Sequence, residues 1–312
     1  MANLDEDARK VLHVLALRGQ VDITTMAPQE VRDYYAAFPS MPGRDLHEVT
    51  QITVAGAQGD LPARLYRPSA APNLPTLVWF HGGGMVLGDL RSGDWVCREL
   101  AAQAETLVIS VDYRLAPEHK FPAGPEDAYA SVAWIAAHAT ELGGDPARIC
   151  VGGDSAGGTL AAVSCLLAKS RSGPAIAAQL LIYPGTETDL TRPSVIEFAQ
   201  GPVLTLAAML WFRAHFHSHD AELADPRAYP ALAEDHTGLP PACVLTAEID
   251  PIRDAGEIYA NTLAHAGVLT TLKRYNGVFH GFFTMGGAMA KTGEAVGDAA
   301  AWLKTIAARP VA

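Results

Sequence analysis

The sequence contains no apolar run approaching the roughly 20 residues that a membrane-spanning helix needs, so no transmembrane anchor is expected. Positive charge is scarce: 23 Lys and Arg stand against 34 Asp and Glu, for a net charge of −11. Nucleic acid and anionic membrane surfaces are read by basic patches, so neither is an expected partner. A small neutral or weakly polar molecule fits better. There are only four cysteines, Cys97, Cys150, Cys165 and Cys243, and none forms a C-x-x-C pair. That argues against a disulfide scaffold or a zinc ribbon, and all four are read as reduced core thiols. The opening "MANLDEDARK" is acidic where a secretory leader would be basic and then apolar, which leads us to expect a cytoplasmic protein.

What is present is apolar substance and order. With 49% apolar residues in 312, the chain can bury a large core, either in one α/β domain with an extra layer or in two smaller domains. Leu4, Ala8, Val11, Leu12 and Leu15 recur at helical spacing and predict an amphipathic first helix that packs on, or lids, something else. "HEVTQITVAG" and "ARLYRP", separated by a Gly/Asp turn, predict an antiparallel hairpin at a sheet edge. Beyond them, the apolar runs "TLVWF", "TLVISVDY", "RICVGGD", "AQLLIYP", "ACVLTAE" and "TTLKRY" are interspersed with helical patterns. That grammar predicts an α/β fold built on a mostly parallel, doubly wound sheet covered on both faces.

The rhythm stops between Gly185 and Pro240, where Trp211, Phe212 and Phe216 fall in a predicted helix among Pro-, Asp- and His-containing loops. An insertion of this length is expected to be a functional lid. The expected division is therefore N-terminal cap helices over 1–45, core over 46–184, cap insertion over 185–238 and core again over 239–312.

Two glycine-rich stretches carry the chemistry. "GGDSAGG" holds Gly153, Asp154, Ser155, Ala156 and Gly157, the one G-x-S-x-G of the sequence, between an apolar run and an alanine-rich helix. Small residues on both sides permit the strained strand-to-helix turn that presents a serine hydroxyl. A serine alcohol needs a base, and the base needs a carboxylate, in the chain order Ser, acid, His. His280, in the loop "NGVFHGFF" after the last predicted strand, is the expected base; His265 lies inside a predicted helix. For the acid, "TAEIDPIRD" offers Glu248, Asp250 and Asp254. Spacing favours Asp250 without excluding its use as a helix N-cap ahead of Pro251.

The second stretch, "HGGGMVLGD", spends Gly82, Gly83 and Gly84 directly after a predicted strand. A tight turn would explain them, and so would a cradle of N–H groups for developing negative charge. With a serine nucleophile elsewhere, the backbone amides of Gly83, Gly84 and Ala156 become the expected oxyanion donors, a pairing well known for lipases and esterases. His81 is expected to shape this loop and to take no part in proton transfer.

Taken in order, "HGGGMVLGD", "DYRLAPEHKFPAGPED", "GDSAGG", "DPIRD" and "HGF" make the sequence resemble the hormone-sensitive-lipase-like carboxylesterases of the α/β-hydrolase fold over most of its length. The resemblance implies a helical cap, no cofactor, a small ester substrate of short to medium acyl chain, and a Ser155–Asp250–His280 triad. It also implies a homodimer, since such proteins commonly dimerise. Asp112, Tyr113, Arg114 and Glu118 of "DYRLAPE" are then loop-holding residues. Met85 departs from the pattern, standing where an aromatic often follows HGGG, and Ala255 stands where relatives often carry an acid. Met85, Leu206, Trp211, Phe212 and Phe282 are the expected substrate pocket.

Two other readings compete. "HFHSHD" brings His215, His217 and His219 into a spacing that could bind a metal, His215 and His219 sharing a helix face at i, i+4. A non-catalytic binding protein of the same fold is the other, although it would be expected to lack a triad member. Nucleotide binding is not expected, because neither glycine loop reads G-x-G-x-x-G.

Overall fold

A computed structural model describes residues 4–19, 21–38 and 41–308. Its strands are β1 Glu48–Gly56, β2 Gly59–Arg67, β3 Leu74–Phe80, β4 Leu107–Val111, β5 Gly144–Asp154, β6 Ala178–Ile182, β7 Ala242–Ile249 and β8 Thr270–Phe279. They form one sheet in the order β1-β2-β4-β3-β5-β6-β7-β8, with β2 antiparallel to both neighbours and every later pairing parallel. The sheet is the doubly wound one expected, and its antiparallel edge is the hairpin expected from "HEVTQITVAG" and "ARLYRP".

The central strands are apolar throughout because both faces are covered. Along β3, Leu77 and Trp79 point to one layer, and Val78 and Phe80 to the other. The first layer holds α1 Glu6–Leu17, α3 Asp94–Ala104 and α9 Ala290–Ala307; the second holds α4 Ala123–Ala137, α5 Ala156–Ser170 and α8 Arg253–His265. Sequence patterning did not single out α3, whose Val96, Cys97 and Leu100 are buried against α9 and the sheet. All four cysteines are buried and unpaired.

Chain order reverses at β3, with β4 on one side and β5 on the other. Such a switch point leaves a crevice at the carboxyl ends of its strands. The "HGGG" loop leaves β3 and Ser155 leaves β5, so the topology delivers both glycine stretches to the same crevice. Over it lies the insertion, with α6 Pro193–Glu197, α7 Leu206–Phe216 and two short 3-10 turns. The first helix does not reach this mouth. Instead α1 docks on the flank, where Leu4 and Ala8 are buried, the Asp5 N–H donates to Gly277 and Asp7 accepts from the Ala290 N–H. It is the next segment, the turn Ile23–Thr25 and α2 Pro28–Ala36, that sends Ile23 and Tyr35 to the crevice.

Candidate active site

Ser155 occupies φ +54° and ψ −120°, outside the regions open to ordinary residues, at a cost of order 1–3 kcal/mol. Its N–H extends the β5–β6 ladder to the Ile182 carbonyl (2.8 Å), and α5 begins at the next residue. So tight a turn demands glycine around it. A Cβ on Gly157 would lie 1.9 Å from the Phe80 carbonyl oxygen, and one on Gly153 2.4 Å from the same atom.

Three side chains named from the sequence meet here. His280 Nε2 lies 3.0 Å from Ser155 Oγ, and His280 Nδ1 lies 2.7 Å from Asp250 Oδ2. With Nδ1–H donated to the carboxylate, Nε2 is free to accept from the serine hydroxyl. Asp250 is fully buried and follows β7 directly. Its Oδ1 accepts from the Ile252 N–H (2.9 Å), and α8 starts only at Arg253. The carboxylate therefore closes a local turn with one oxygen, and the other faces His280. The rival carboxylates are engaged elsewhere: Glu248 accepts from the Gly277 N–H (2.6 Å), and Asp254 ties α8 to α6 through the Ser194 N–H (2.8 Å).

The glycine loop is held by close backbone approach. Gly83 sits at φ +115°, and a Cβ there would fall 2.2 Å from the Leu87 carbonyl oxygen. The Gly83 carbonyl accepts from the N–H groups of Val86 (3.0 Å) and Leu87 (2.8 Å), turning the chain so that Gly82, Gly83 and Gly84 border the same cavity as Ser155. Among the described residues, the N–H groups of Gly83, Gly84 and Ala156 have no protein acceptor. The Gly82 N–H donates to Asp154 (3.1 Å). Burial pushes the Asp154 carboxyl up to about 6, the charges of His81 and His280 opposing the rise.

His81 is fully buried, stacks on Tyr113 (4.5 Å) and contacts the Gly82 carbonyl through Nδ1 (2.7 Å). The Tyr113 hydroxyl donates to the His81 carbonyl (2.8 Å). Beneath them, Asp127 takes a two-pronged bond from Arg114 (2.6 and 2.8 Å). Arg32 of α2 grips the loops from outside, donating to the Val86 carbonyl (2.9 Å), the Ala116 carbonyl (2.8 Å) and both Glu118 oxygens (2.8 Å each).

The cavity holds about 430 Å³. Of the five pocket residues expected, Met85 and Phe212 border it, and Leu206, Trp211 and Phe282 do not. Trp211 turns into the larger core cluster, and Phe282 is buried behind Tyr183, whose ring lies 4.7 Å from His280. Leu206 is only partly buried in the first turn of α7. α7 gives the cavity Ala208, Met209, Leu210, Phe212, Arg213 and Phe216, all but Leu210 on one helical stripe whose phase the sequence reading missed.

Of the three histidines of the metal reading, His215 parts from His217 and His219 because α7 ends at Phe216. His215 Nδ1 contacts the Trp211 carbonyl (2.9 Å), while His217 bridges Glu222 (3.3 Å) and the Tyr229 hydroxyl (3.0 Å). His219 is exposed, 3.2 Å from Glu222. Among the described residues, no group of three His, Cys, Asp or Glu side chains could hold a metal ion.

Over residues 77–284 the sequence matches a family described as the alpha/beta hydrolase fold. A Mycobacterium tuberculosis protein named carboxylic ester hydrolase LipN is 42% identical over 282 residues, covering 87% of this chain and 75% of its own. The chain belongs to the hormone-sensitive-lipase-like branch of the α/β-hydrolase family. This carboxylic ester hydrolase is also similar to esterase LipI of the same organism, 38% identical over 94% of this chain and 92% of the other. Among solved structures, it superposes on a hyperthermophilic esterase from Pyrobaculum calidifontis with a TM-score of 0.90 at 41% identity, over 97% of this chain and 99% of the other. An ester hydrolase from the metagenome of Lake Arreo gives 0.93 at 40% identity, over 97% and 98%. Among the described residues, no helix is long and apolar enough to cross a membrane.

Proposed function

We propose that the esterase hydrolyses short- to medium-chain acyl esters through an acyl-enzyme on Ser155. The observation that carries this reading is the unbroken line from Asp250 Oδ2 to His280 (2.7 Å) and from His280 to Ser155 Oγ (3.0 Å), at a cavity bordered by unpaired backbone N–H groups. His280 takes the proton of Ser155 as the oxygen attacks the ester carbonyl. Asp250, buried and fixed by the Ile252 N–H, holds the imidazole tautomer and stabilises the imidazolium. The carbonyl oxygen becomes an anion, received by the N–H groups of Gly83, Gly84 and Ala156, with the N-terminus of α5 adding its favourable dipole. His280 then protonates the departing alcohol, and water activated by the same imidazole releases the acid.

Asp250 carries this role better than its neighbours because Glu248 and Asp254 are already engaged. In our reading, 185–238 together with the segment around α2 forms the cap. The preference for acyl chains of about four to eight carbons is what the family resemblance implies, and a cavity of about 430 Å³ has room for them.

The test is a nitrophenyl ester series, acetate to palmitate, for wild type and Ser155→Ala, with and without a chelator. Short esters should be cleaved by wild type and the chelator should change nothing, while the variant loses on the order of 10⁶ in kcat. Residual Ser155→Ala activity that the chelator abolishes would overturn the serine mechanism, and fastest turnover on palmitate would overturn the chain-length reading.

A further inference from the structure

The cavity wall carries one charged group with nothing to do. Glu187 is spent on Arg192 in a two-pronged bond (2.6 and 2.7 Å), and Asp154 lies under the glycine loop, bonded to the Gly82 N–H. Arg213 is different. It lines the same cavity, is half-buried, and among the described residues its guanidinium has neither a hydrogen bond nor an ion pair. On the α7 stripe it sits one turn beyond Met209 and directly after Phe212, whose ring packs where a Cβ on Gly84 would fall. Its charge is felt at Tyr229, another wall residue.

An unpaired arginine on a largely apolar wall bears a desolvation cost that a surface arginine avoids. Its planar fork matches a carboxylate in two parallel hydrogen bonds. We infer that Arg213 is a specificity-determining residue that binds a carboxylate on the ester substrate, remote from the bond that is cleaved. Half-esters of short dicarboxylic acids and acyl esters of short hydroxy acids both have this chemistry. The inference rests on the esterase function proposed above and adds a charge preference to it.

The experiment measures kcat/KM for wild type, Arg213→Leu and Arg213→Lys by base uptake at constant pH. Monomethyl glutarate and monomethyl adipate are each paired with the methyl ester of the monoacid of equal length, and acetylated hydroxybutanoate with butyl acetate. The readout is the anionic-to-neutral ratio within each variant, so a change in active fraction cancels. In at least one series, Arg213→Leu should lower that ratio about ten- to hundredfold, mainly through KM, with Arg213→Lys recovering part of it. Added salt should compress the wild-type ratio more than the Arg213→Leu ratio. An unchanged ratio in every series, on enzyme that cleaves the neutral esters, overturns the inference alone. No turnover of any ester by wild type overturns the esterase function and the inference together.

Discussion

Asp154 is the residue whose charge the fold resists most visibly, and Asp154→Asn turns that into a measurement. Burial raises its carboxyl from 3.8 to about 6, although His81 and His280 hold it down in part. The folded protein therefore keeps a proton on Asp154 over a pH window in which the unfolded chain has released it. Below pH 3.8 both states are protonated and nothing is lost. Between 3.8 and about 6 the native state grows progressively less stable relative to the unfolded one, and above 6 the full cost applies. At 1.36 kcal/mol per pH unit that cost is about 3 kcal/mol. An asparagine Oδ1 can still accept from the Gly82 N–H, so the variant removes the charge and keeps the bond. In urea titrations it should exceed wild type by up to about 3 kcal/mol at pH 8, with the margin closing towards pH 4. Activity should move the other way. The Asp154 charge interacts with His280, so its loss should lower kcat by weakening the electrostatic support of the reacting imidazole. A margin that is flat with pH, or that widens towards acid, would refute the linkage.

Gly83→Ala forces a Cβ against the Leu87 carbonyl at φ +115°, so the loop must give way and one proposed oxyanion donor moves. Its kcat should fall by about 10²–10³ while the fold survives, as judged by unchanged far-UV circular dichroism. Gly84→Ala, at φ +61°, pushes on the Phe212 ring and strains a second proposed oxyanion donor, and should raise KM as well as lower kcat. Arg32→Ala frees the Val86 and Ala116 carbonyls and the Glu118 pair, and should lower kcat on the order of tenfold through looser oxyanion geometry. Arg32 first of all holds the Glu118 carboxyl down at about 2, so the stability that pair adds is present above pH 4.5 and lost as pH falls towards 2. A Tm difference between wild type and Glu118→Gln should shrink over that range, and a constant difference would count against the pair.

The chemistry proposed for this esterase was legible because it rests on backbone rules. A serine forced to φ +54° needs Gly157 against the Phe80 carbonyl, and a loop turning on Gly83 needs the Leu87 carbonyl close by. Such close backbone approaches leave glycines as their trace, whether the partner is four residues on, as Leu87 is, or at the end of a neighbouring strand, as Phe80 is. Asp250 was ambiguous for a reason the structure makes plain. Asp-Pro reads as a helix start, and the side chain does close a turn onto Ile252, but α8 begins at Arg253 and leaves the second oxygen for His280. The alternating histidines of the competing metal reading show the opposite case. Their spacing suits one strand or one helix, and the chain changes conformation after Phe216, in the middle of the run.

The cap was harder to read because its residues answer to two partners at once. Trp211 and Phe212 are adjacent and both apolar, yet the rotation of about 100° between neighbouring residues sends Trp211 to the core and Phe212 to the cavity. Helical periodicity finds such a stripe but not its phase when both sides of the helix are apolar, and α7 is apolar nearly all round. The break in that pattern is Arg213. A charge on the cavity stripe is a local mark of the face that meets the cavity, and nothing in the spacing alone distinguishes it from a solvated arginine on a cap helix. Its lack of a partner becomes visible only when Glu187 is seen bound to Arg192. The sheet thus writes its demands in glycine, and the cap writes its own in the single cation that its apolar face tolerates.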